Sequence, residues 1–405
     1  MAVRRAAVLA LAAGFAAAFA AAVLAGLDRA AATPETRSHA AILRVDSKLP
    51  DWLAPGATGR VAGFAGANER LRLVTGSGTV LARTRSGKLG RFVFRFHAPN
   101  AGRYRLRVAT RAMATAVGAL TVRPLVLEAV GDITFGEQVG PALAAYGPAY
   151  PWQRVAHLLR SADITVGNLE TAVGSRGTAQ PKEFTFRGPP IGLRPMASLA
   201  GFDALTLANN HSGDFGRESL LETVHSVSGA GILPFGAGAN LALARRPAIV
   251  EAGGLKVAFL GYSDVNPFGF NATQSEPGTA KADTTAIASD VRAARRRADV
   301  VVCFLHWGVE LRPDPDLRQQ QIASACVGAG AAVVLGAHPH VLGPVSASGR
   351  RSVIAWSLGN FVFPSSGVTA RTAILQVHLG ADGVRGYRLL PVRIVGFQPE
   401  PVAAP

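Results

Sequence analysis

The chain has 405 residues, 49% hydrophobic and 17% charged, which is material for a buried core and excludes a disordered chain. The formal charge of +16, with only 5 lysines among 42 basic residues, suits a polyanionic partner. No RGG repeat, zinc-finger spacing or basic helix accompanies it, so nucleic acid is set aside, and with two cysteines, Cys303 and Cys326, neither a disulfide scaffold nor a thiolate zinc site can be built.

Arg4 and Arg5 precede an uncharged run over residues 6–27, and Asp28 and Arg29 restore polarity. This reads as an export element, either a signal peptide ending near residue 32 or a retained membrane anchor. Its 22 residues favour the anchor, because that length spans a bilayer core. The basic flank on the N-terminal side then places the rest of the chain outside the cytoplasm.

Residues 41–123 carry a period of two: Phe92, Phe94 and Phe96 alternate with Val93 and Arg95, and Tyr104, Leu106 and Val108 alternate with Arg103, Arg105 and Arg107. Turn signals separate the runs at Pro55-Gly56, Gly76-Ser77-Gly78, Ser86-Gly87 and Pro99-Asn100. Alternation with regular turns predicts a small Ig-like β-sandwich, folding by itself and cleavable near Arg123, with a spacer or binding role.

After Pro124 the texture changes to short continuous apolar runs, at residues 126–130, 164–166, 204–207, 257–260, 300–305 and 332–335. Helical patterns fall between them at 151–160, 216–228, 284–297 and 316–327, and a further β-hairpin is expected from Ala373 onward. Apolar strands covered on both faces imply an α/β domain over residues 125–398.

Polar residues follow those strands immediately: Asp132, Asn168 and Glu170, Asn209-Asn210-His211, His306 with Glu310, His338-Pro339-His340, and Asn360. Ligands of open α/β sheets bind outside the carboxyl ends of strands, so these groups should converge on one edge. Some of the pieces are ordinary when taken alone. Gly131-Asp132 is a common turn, Asn209-Asn210-His211 serves equally as a helix N-cap, and His306 serves equally as a core histidine. His338 and His340 are the stronger signal, as imidazoles two apart on a segment that proline keeps extended point the same way. Carboxylate, amide and imidazole together suit two divalent ions, manganese, iron or zinc, and such a pair serves phosphoester hydrolysis. Cys303 and Cys326 read as buried small hydrophobes.

Taken in order, Gly131-Asp132-Ile133, Asn168-Leu169-Glu170, Ala208-Asn209-Asn210-His211 with Asp214 and Gly216, His306-Trp307-Gly308 with Glu310, Gly336-Ala337-His338-Pro339-His340 and Ser357-Leu358-Gly359-Asn360-Phe361 resemble the CapA (poly-γ-glutamate capsule biosynthesis) family. That family looks like a branch of the calcineurin-like metallophosphoesterases, a two-sheet sandwich flanked by helices with a dinuclear metal site. The resemblance implies Asp132 as a ligand of the first metal, Glu170 as the bridging carboxylate, Asn210 as the amide ligand of the second metal, and His306, His338 and His340 as imidazole ligands. It also implies His211 as an outer-sphere acid. Thr134 stands where a second histidine ligand of the first metal is usual. Lys182 and Arg187, in a loop before Pro189-Pro190, and Asn360 are candidates for holding an anionic substrate. The resulting expectation is an exported protein of anionic cell-envelope polymer synthesis, working with the membrane and other capsule-synthesis subunits. The alternative is an assembly component that keeps the fold without catalysis.

Overall fold

The computed structural model describes residues 42–402. The export element lies outside the described residues, and among the described residues no helix is long and apolar enough to cross a membrane.

Residues 42–122 form two antiparallel-rich sheets. Thr58–Phe64 pairs with Arg91–His97 and with the edge piece Arg44–Val45, while the second sheet runs in the order Trp52–Leu53, Ala114–Val122, Gly102–Ala109, Arg70–Thr75, Val80–Arg85. Side-chain alternation decides the faces. Phe92, Phe94, Phe96, Leu106 and Val108 are buried, and Val93, Arg95, Arg105 and Arg107 point to solvent.

At the junction, both terminal nitrogens of Arg123 bond Asp163, at 2.6 and 2.7 Å, and its guanidinium lies 3.7 Å from the centre of the Trp52 ring. The backbone N–H of Ala54 donates to the Gly253 carbonyl at 2.8 Å, and that of Ala381 donates to the Pro55 carbonyl at 2.9 Å. One apolar cluster runs from Leu53, Phe94 and Leu120 into Leu127, Val257 and Val302, so the residues from Ile42 onward form one compact unit. That residues 41–122 also fold as a separate domain is kept as a proposal, which a fragment ending at Val122 with β-sheet circular dichroism would support. Arg123 keeps 40% of its side chain exposed, so water screens the pair. Arg123→Ala is expected to lower the unfolding free energy by about 1 kcal/mol, measured by denaturant titration of the full chain, well short of the loss at a buried pair.

The rest of the chain is two mainly parallel sheets packed face to face. The first places Leu233–Phe235, Ala204–Thr206, Ile164–Leu169 and Leu125–Ile133 side by side, followed by the hairpin Arg371–Gly380 and Gly383–Val395. The second places Leu255–Ser263, Val300–His306, Val333–Ala337 and Ser352–Ala355 side by side, with antiparallel strands at its two edges. Helices cover the outer faces. Leu220, Val227 and Met196 pack over Val130 and Leu169 on one side, and Ile287, Val291 and Ile322 pack over Val301, Cys303 and Leu305 on the other. This is the α/β domain that the alternation of apolar strands and helical segments predicts, in the two-sheet form flanked by helices that the family resemblance implies. Cys303 and Cys326 are buried free thiols.

Local chemistry sets the helix starts. Asp316 caps Leu317–Gly328 by accepting from the Gln319 N–H, and the Gln319 side chain returns a bond to the Asp316 N–H, a reciprocal capping box. Asp283 caps Thr284–Arg295 in the same sense. The helix expected over 151–160 is broken instead into a 3-10 turn, Tyr150–Trp152, and one α-turn, Ala156–Leu159. The fully buried Trp152 packs edge-on to Phe135 and Phe202, and that tertiary contact overrides the helical propensity of the segment.

Candidate metal centre

The strands of both sheets end on one edge, and each delivers its polar residue there. Asp132 is the next-to-last residue of Leu125–Ile133, Glu170 directly follows Ile164–Leu169, and His306 is the last residue of Val300–His306. Asn209, Asn210 and His211 follow Ala204–Thr206, His338 and His340 follow Val333–Ala337, and Asn360 opens a short strand that pairs with Asp132. Gly131 precedes Asp132 because a Cβ there would collide with the Gly359 carbonyl, where the backbone carries no room for a side chain.

Asp132 and Glu170 are both fully buried. Asp132 Oδ1 accepts from Asn168 Nδ2 at 2.7 Å, its Oδ2 accepts from the His338 N–H at 3.1 Å, and His340 Nδ1 stands 3.4 Å from that Oδ2. Asn168 also lies 3.2 Å from His306 Nδ1, and its Oδ1 accepts from Asn209 Nδ2 at 3.0 Å. His306 Nε2 is 2.6 Å from Asn210 Oδ1 and 3.2 Å from Glu170 Oε1. Yet neither Glu170 oxygen makes a hydrogen bond of acceptable geometry, nor does His338 Nδ1, although all three atoms are buried. Buried polar atoms are nearly always paired, so these three atoms are available as ligand atoms for a cation.

The donors sort into two groups. Glu170, His306 and His338 offer ligand atoms within 4.8 Å of one another, and so do Asp132, Glu170 and His340. Glu170 belongs to both, while His338 and His340 each belong to one of them and to a third. Asn210 Oδ1 joins the first group through its contact with His306. The donor chemistry fits manganese, iron or zinc, with no thiolate present. A further group joins the exposed Glu310 to His338 and His340.

The charges respond to this crowding. Burial raises the Glu170 carboxyl, the neighbouring Asp132 charge raises it further, and it reaches about 8. Burial also opposes ionisation of Asp132, but the hydrogen bond and charge of His340 outweigh it and hold that carboxyl well below its ordinary value. For His340, burial is overcome by the charges of Glu170 and Asp132, which lift it to about 10. His306 is lowered to about 3, chiefly by burial, and His338 is lowered too for the same reason, so both stay neutral, whereas His340 would have to release a proton to bind a cation.

His211 stands just outside this set. Its Nδ1 is 2.7 Å from Asp214 Oδ2, its Nε2 is 4.0 Å from Glu170 Oε1, and its ring stacks on Phe186 with centroids 3.9 Å apart. Asp214 is fully buried and also accepts from Lys182 Nζ at 2.7 Å and from the Phe186 N–H at 2.6 Å. Lys182 is therefore spent on Asp214 and on the Asn210 carbonyl, 2.8 Å away. Arg187 donates to the carbonyls of Arg176 and Gly177 at 2.6 and 3.1 Å and covers the Phe215 ring. Asn360 Oδ1 lies 2.8 Å from His340 Nδ1, and Asn360 Nδ2 donates to Ser365 Oγ at 2.9 Å. All three candidate substrate contacts thus have protein partners in this structure. Thr134 is buried and its Oγ1 accepts from the Gly136 N–H at 3.0 Å.

One expectation is corrected. His338 and His340 do not lie on an extended segment, for their φ angles are +95° and +57°. The backbone turns so that the His338 N–H reaches Asp132, and the two rings face the site 6.0 Å apart. Positive φ at a non-glycine residue costs on the order of 1–3 kcal/mol and gathers at functional sites. The sequence reading assigned no role to Asn168, Asn209 or Asp214. A run of buried amides after two neighbouring strands was the available signal, since a buried amide needs a polar partner. A hollow of about 550 Å³ lined by Leu221, Val224, Leu233, Arg246 and Arg297 lies away from these side chains.

An α/β sandwich whose strand ends bring together carboxylate, amide and imidazole donors, with one carboxylate common to two groups, defines a candidate two-cation centre. Residues 126–365 match the family described as bacterial capsule synthesis protein PGA_cap, and the chain belongs to that family. It is 32% identical over 277 residues to the PGA biosynthesis protein CapA of Bacillus subtilis, covering 67% of this chain and 72% of that relative. It is 31% identical over 291 residues to the capsule biosynthesis protein CapA of Bacillus anthracis, covering 69% and 70% of the two chains. Among solved structures, a phosphatase from Mycoplasma pneumoniae superposes with a TM-score of 0.42 at 13% identity, over 67% of this chain and 94% of the other.

Proposed function

We propose that the protein holds two divalent ions, one at Asp132, Glu170 and His340 and one at Glu170, Asn210, His306 and His338, and hydrolyses a phosphoester bond in the making or export of an anionic cell-envelope polymer of the poly-γ-glutamate type. The observation that carries this is Glu170, fully buried, unpartnered at both oxygens and common to both donor groups. When bound, such ions lower the pKa of a water and neutralise charge on an in-line phosphoryl transition state. The chain's own part follows from geometry. Asp214 accepts a hydrogen bond from His211 Nδ1–H and favours the imidazolium, and in that doubly protonated form Nε2–H faces the site and can give its proton to the leaving-group oxygen. Phe186 and the Lys182–Asp214 pair hold that ring in place.

A second reading, a polymer-binding assembly component without turnover, is favoured by one observation. Thr134 takes the place of a usual histidine ligand and spends its hydroxyl on the Gly136 N–H. The two separate by assay. Purified protein loaded with manganese, iron or zinc should hydrolyse at least one member of a phosphodiester and phosphomonoester panel, and inactivity with every ion retires the enzyme reading.

The same proposal places the described residues outside the cytoplasm, anchored to the membrane or secreted, because Arg4 and Arg5 flank the apolar run on its N-terminal side. A reporter active only after export, fused after Ala40, should be active. Activity of a cytoplasm-only reporter at that junction would overturn the topology.

A further inference from the structure

In sequence the arginines look spread along the chain, but strand register gathers them. Residues 42–123 carry 15 Lys and Arg against 3 Asp and Glu, so most of the excess charge of the whole chain sits in these two small sheets. On the five-stranded sheet the register sets Arg70 opposite Arg85 and Arg72 opposite Arg83, and Arg107 opposite Val74 on the next strand. Arg103 and Arg105 continue the same outward row along Gly102–Ala109, and all of these arginines are exposed. Arg111 closes one end, and with Arg70, Arg72 and Arg83 it lines a hollow of about 470 Å³.

Like charges directly opposite on paired strands destabilise a sheet, and proteins ordinarily interleave carboxylates to relieve them. Here no relief is present. Among the described residues none of these arginines forms an ion pair with a carboxylate, and every ion pair with arginine or lysine falls on other residues. A face that keeps opposed guanidinium pairs at a cost to its own stability is complementary to an external anion that runs across the strands. Guanidinium forks match carboxylates two bonds at a time, which makes an extended polycarboxylate the fitting occupant. A lipid surface fits less well. The arginines line a hollow that a chain can enter and a flat bilayer cannot, and this row carries no exposed aromatic side chain to insert among lipid tails.

We infer that the outward face of this sheet, centred on Arg70, Arg72, Arg83, Arg105 and Arg107, is a docking surface for an extended polycarboxylate chain. This deepens the polymer reading of the proposed function and is separable from the metal centre, none of whose residues lies in these sheets.

The test uses the full chain and fluorescently labelled polyglutamate, with fluorescence anisotropy as readout. Wild type should bind, and more weakly as salt rises, since exposed charges are screened over about 8 Å at physiological ionic strength. The triple variant Arg72→Gln, Arg83→Gln, Arg105→Gln should weaken binding at least ~10-fold, which by affinity arithmetic is ~1.4 kcal/mol. Arg60→Gln with Arg95→Gln, an opposed pair on the other sheet, serves as the control and should change binding less than ~2-fold. The triple variant should also melt no lower than wild type, because it removes a repulsion, so a loss of binding cannot be laid to misfolding. Equal losses in triple and control variants, or none in the triple, overturn the surface while leaving polymer binding standing. No binding by wild type overturns both the surface and the polymer reading. Binding to vesicles of anionic phospholipid but not to polyglutamate, lost in the triple variant, replaces the polymer with a membrane and also overturns the inference.

Discussion

His211→Ala is expected to keep the divalent ions and lose phosphodiester hydrolysis by ~10²–10⁴-fold, the range of a general-acid contribution. The reason is position. His211 Nε2 lies 4.0 Å from the nearer oxygen of Glu170, outside both three-residue donor groups, while its Nδ1 is committed to Asp214 at 2.7 Å. Removing it leaves Asp132, Glu170, Asn210, His306, His338 and His340 in place. Asp214→Asn should show a milder form of the same defect, since an amide oxygen can still accept from Nδ1 but brings no negative charge to favour the protonated ring or to pair with Lys182. Metal content and turnover are read on the same preparations. Loss of metal from His211→Ala would make it a ligand and contradict the assignment of roles.

Glu170→Gln is expected to act in the opposite sense on two observables, abolishing two-ion binding while raising the stability of the metal-free protein. The sign follows from the shift. The Glu170 carboxyl has a folded-state value of about 8 against an ordinary value of 4.5, so the folded protein holds that proton more tightly than the unfolded chain. The stability it lends is complete below the ordinary carboxyl value and is lost as pH rises through about 8. His340, raised to about 10, changes in the same direction, whereas neutral His306 and His338 act mainly below 6.5, where the unfolded imidazole would take up a proton. Between pH 6.5 and 8 the change therefore comes from Glu170 and His340 together, and the comparison with Glu170→Gln isolates the part that depends on Glu170. Across that range, metal-free wild type should lose melting temperature relative to Glu170→Gln, and a gap of several degrees should open by pH 8 and close toward pH 5. Thermal melts in the presence of chelator measure this. A gap that is constant with pH, or of the other sign, would mean that Glu170 is not ionising against its buried surroundings.

Much of the site was legible because several of its pieces obey one local rule, a polar residue at or directly after the end of a buried apolar strand. Asp132, Glu170 and His306 end or directly follow such strands, and their convergence follows from parallel strands sharing an edge. What the sequence could not show depends on contacts between distant residues. Lys182 lies 32 residues from Asp214, and nothing local distinguishes a lysine that braces a buried aspartate from one that awaits a substrate. Arg187 and Asn360 have the same ambiguity, for each donates to backbone or side chains of the same chain. The turn at His338 and His340 is illegible for another reason, because positive φ in a residue other than glycine leaves no mark in composition. Strand register hid the arginine face. Arg72 and Arg83 are 11 residues apart in the chain and directly opposed in the sheet. The broken helix at Tyr150–Leu159 shows the converse, where local propensity was clear and the burial of Trp152 decided otherwise.

The measurement closest to the central claim is the metal stoichiometry of the purified chain after loading with manganese, iron or zinc, compared with Glu170→Gln and Asp132→Asn. Glu170 belongs to both donor groups and Asp132 to one, so the account predicts two ions per chain in wild type, one in Asp132→Asn and none held tightly in Glu170→Gln. A wild-type chain that binds no ion, or a Glu170→Gln chain that binds as many as wild type, would contradict it.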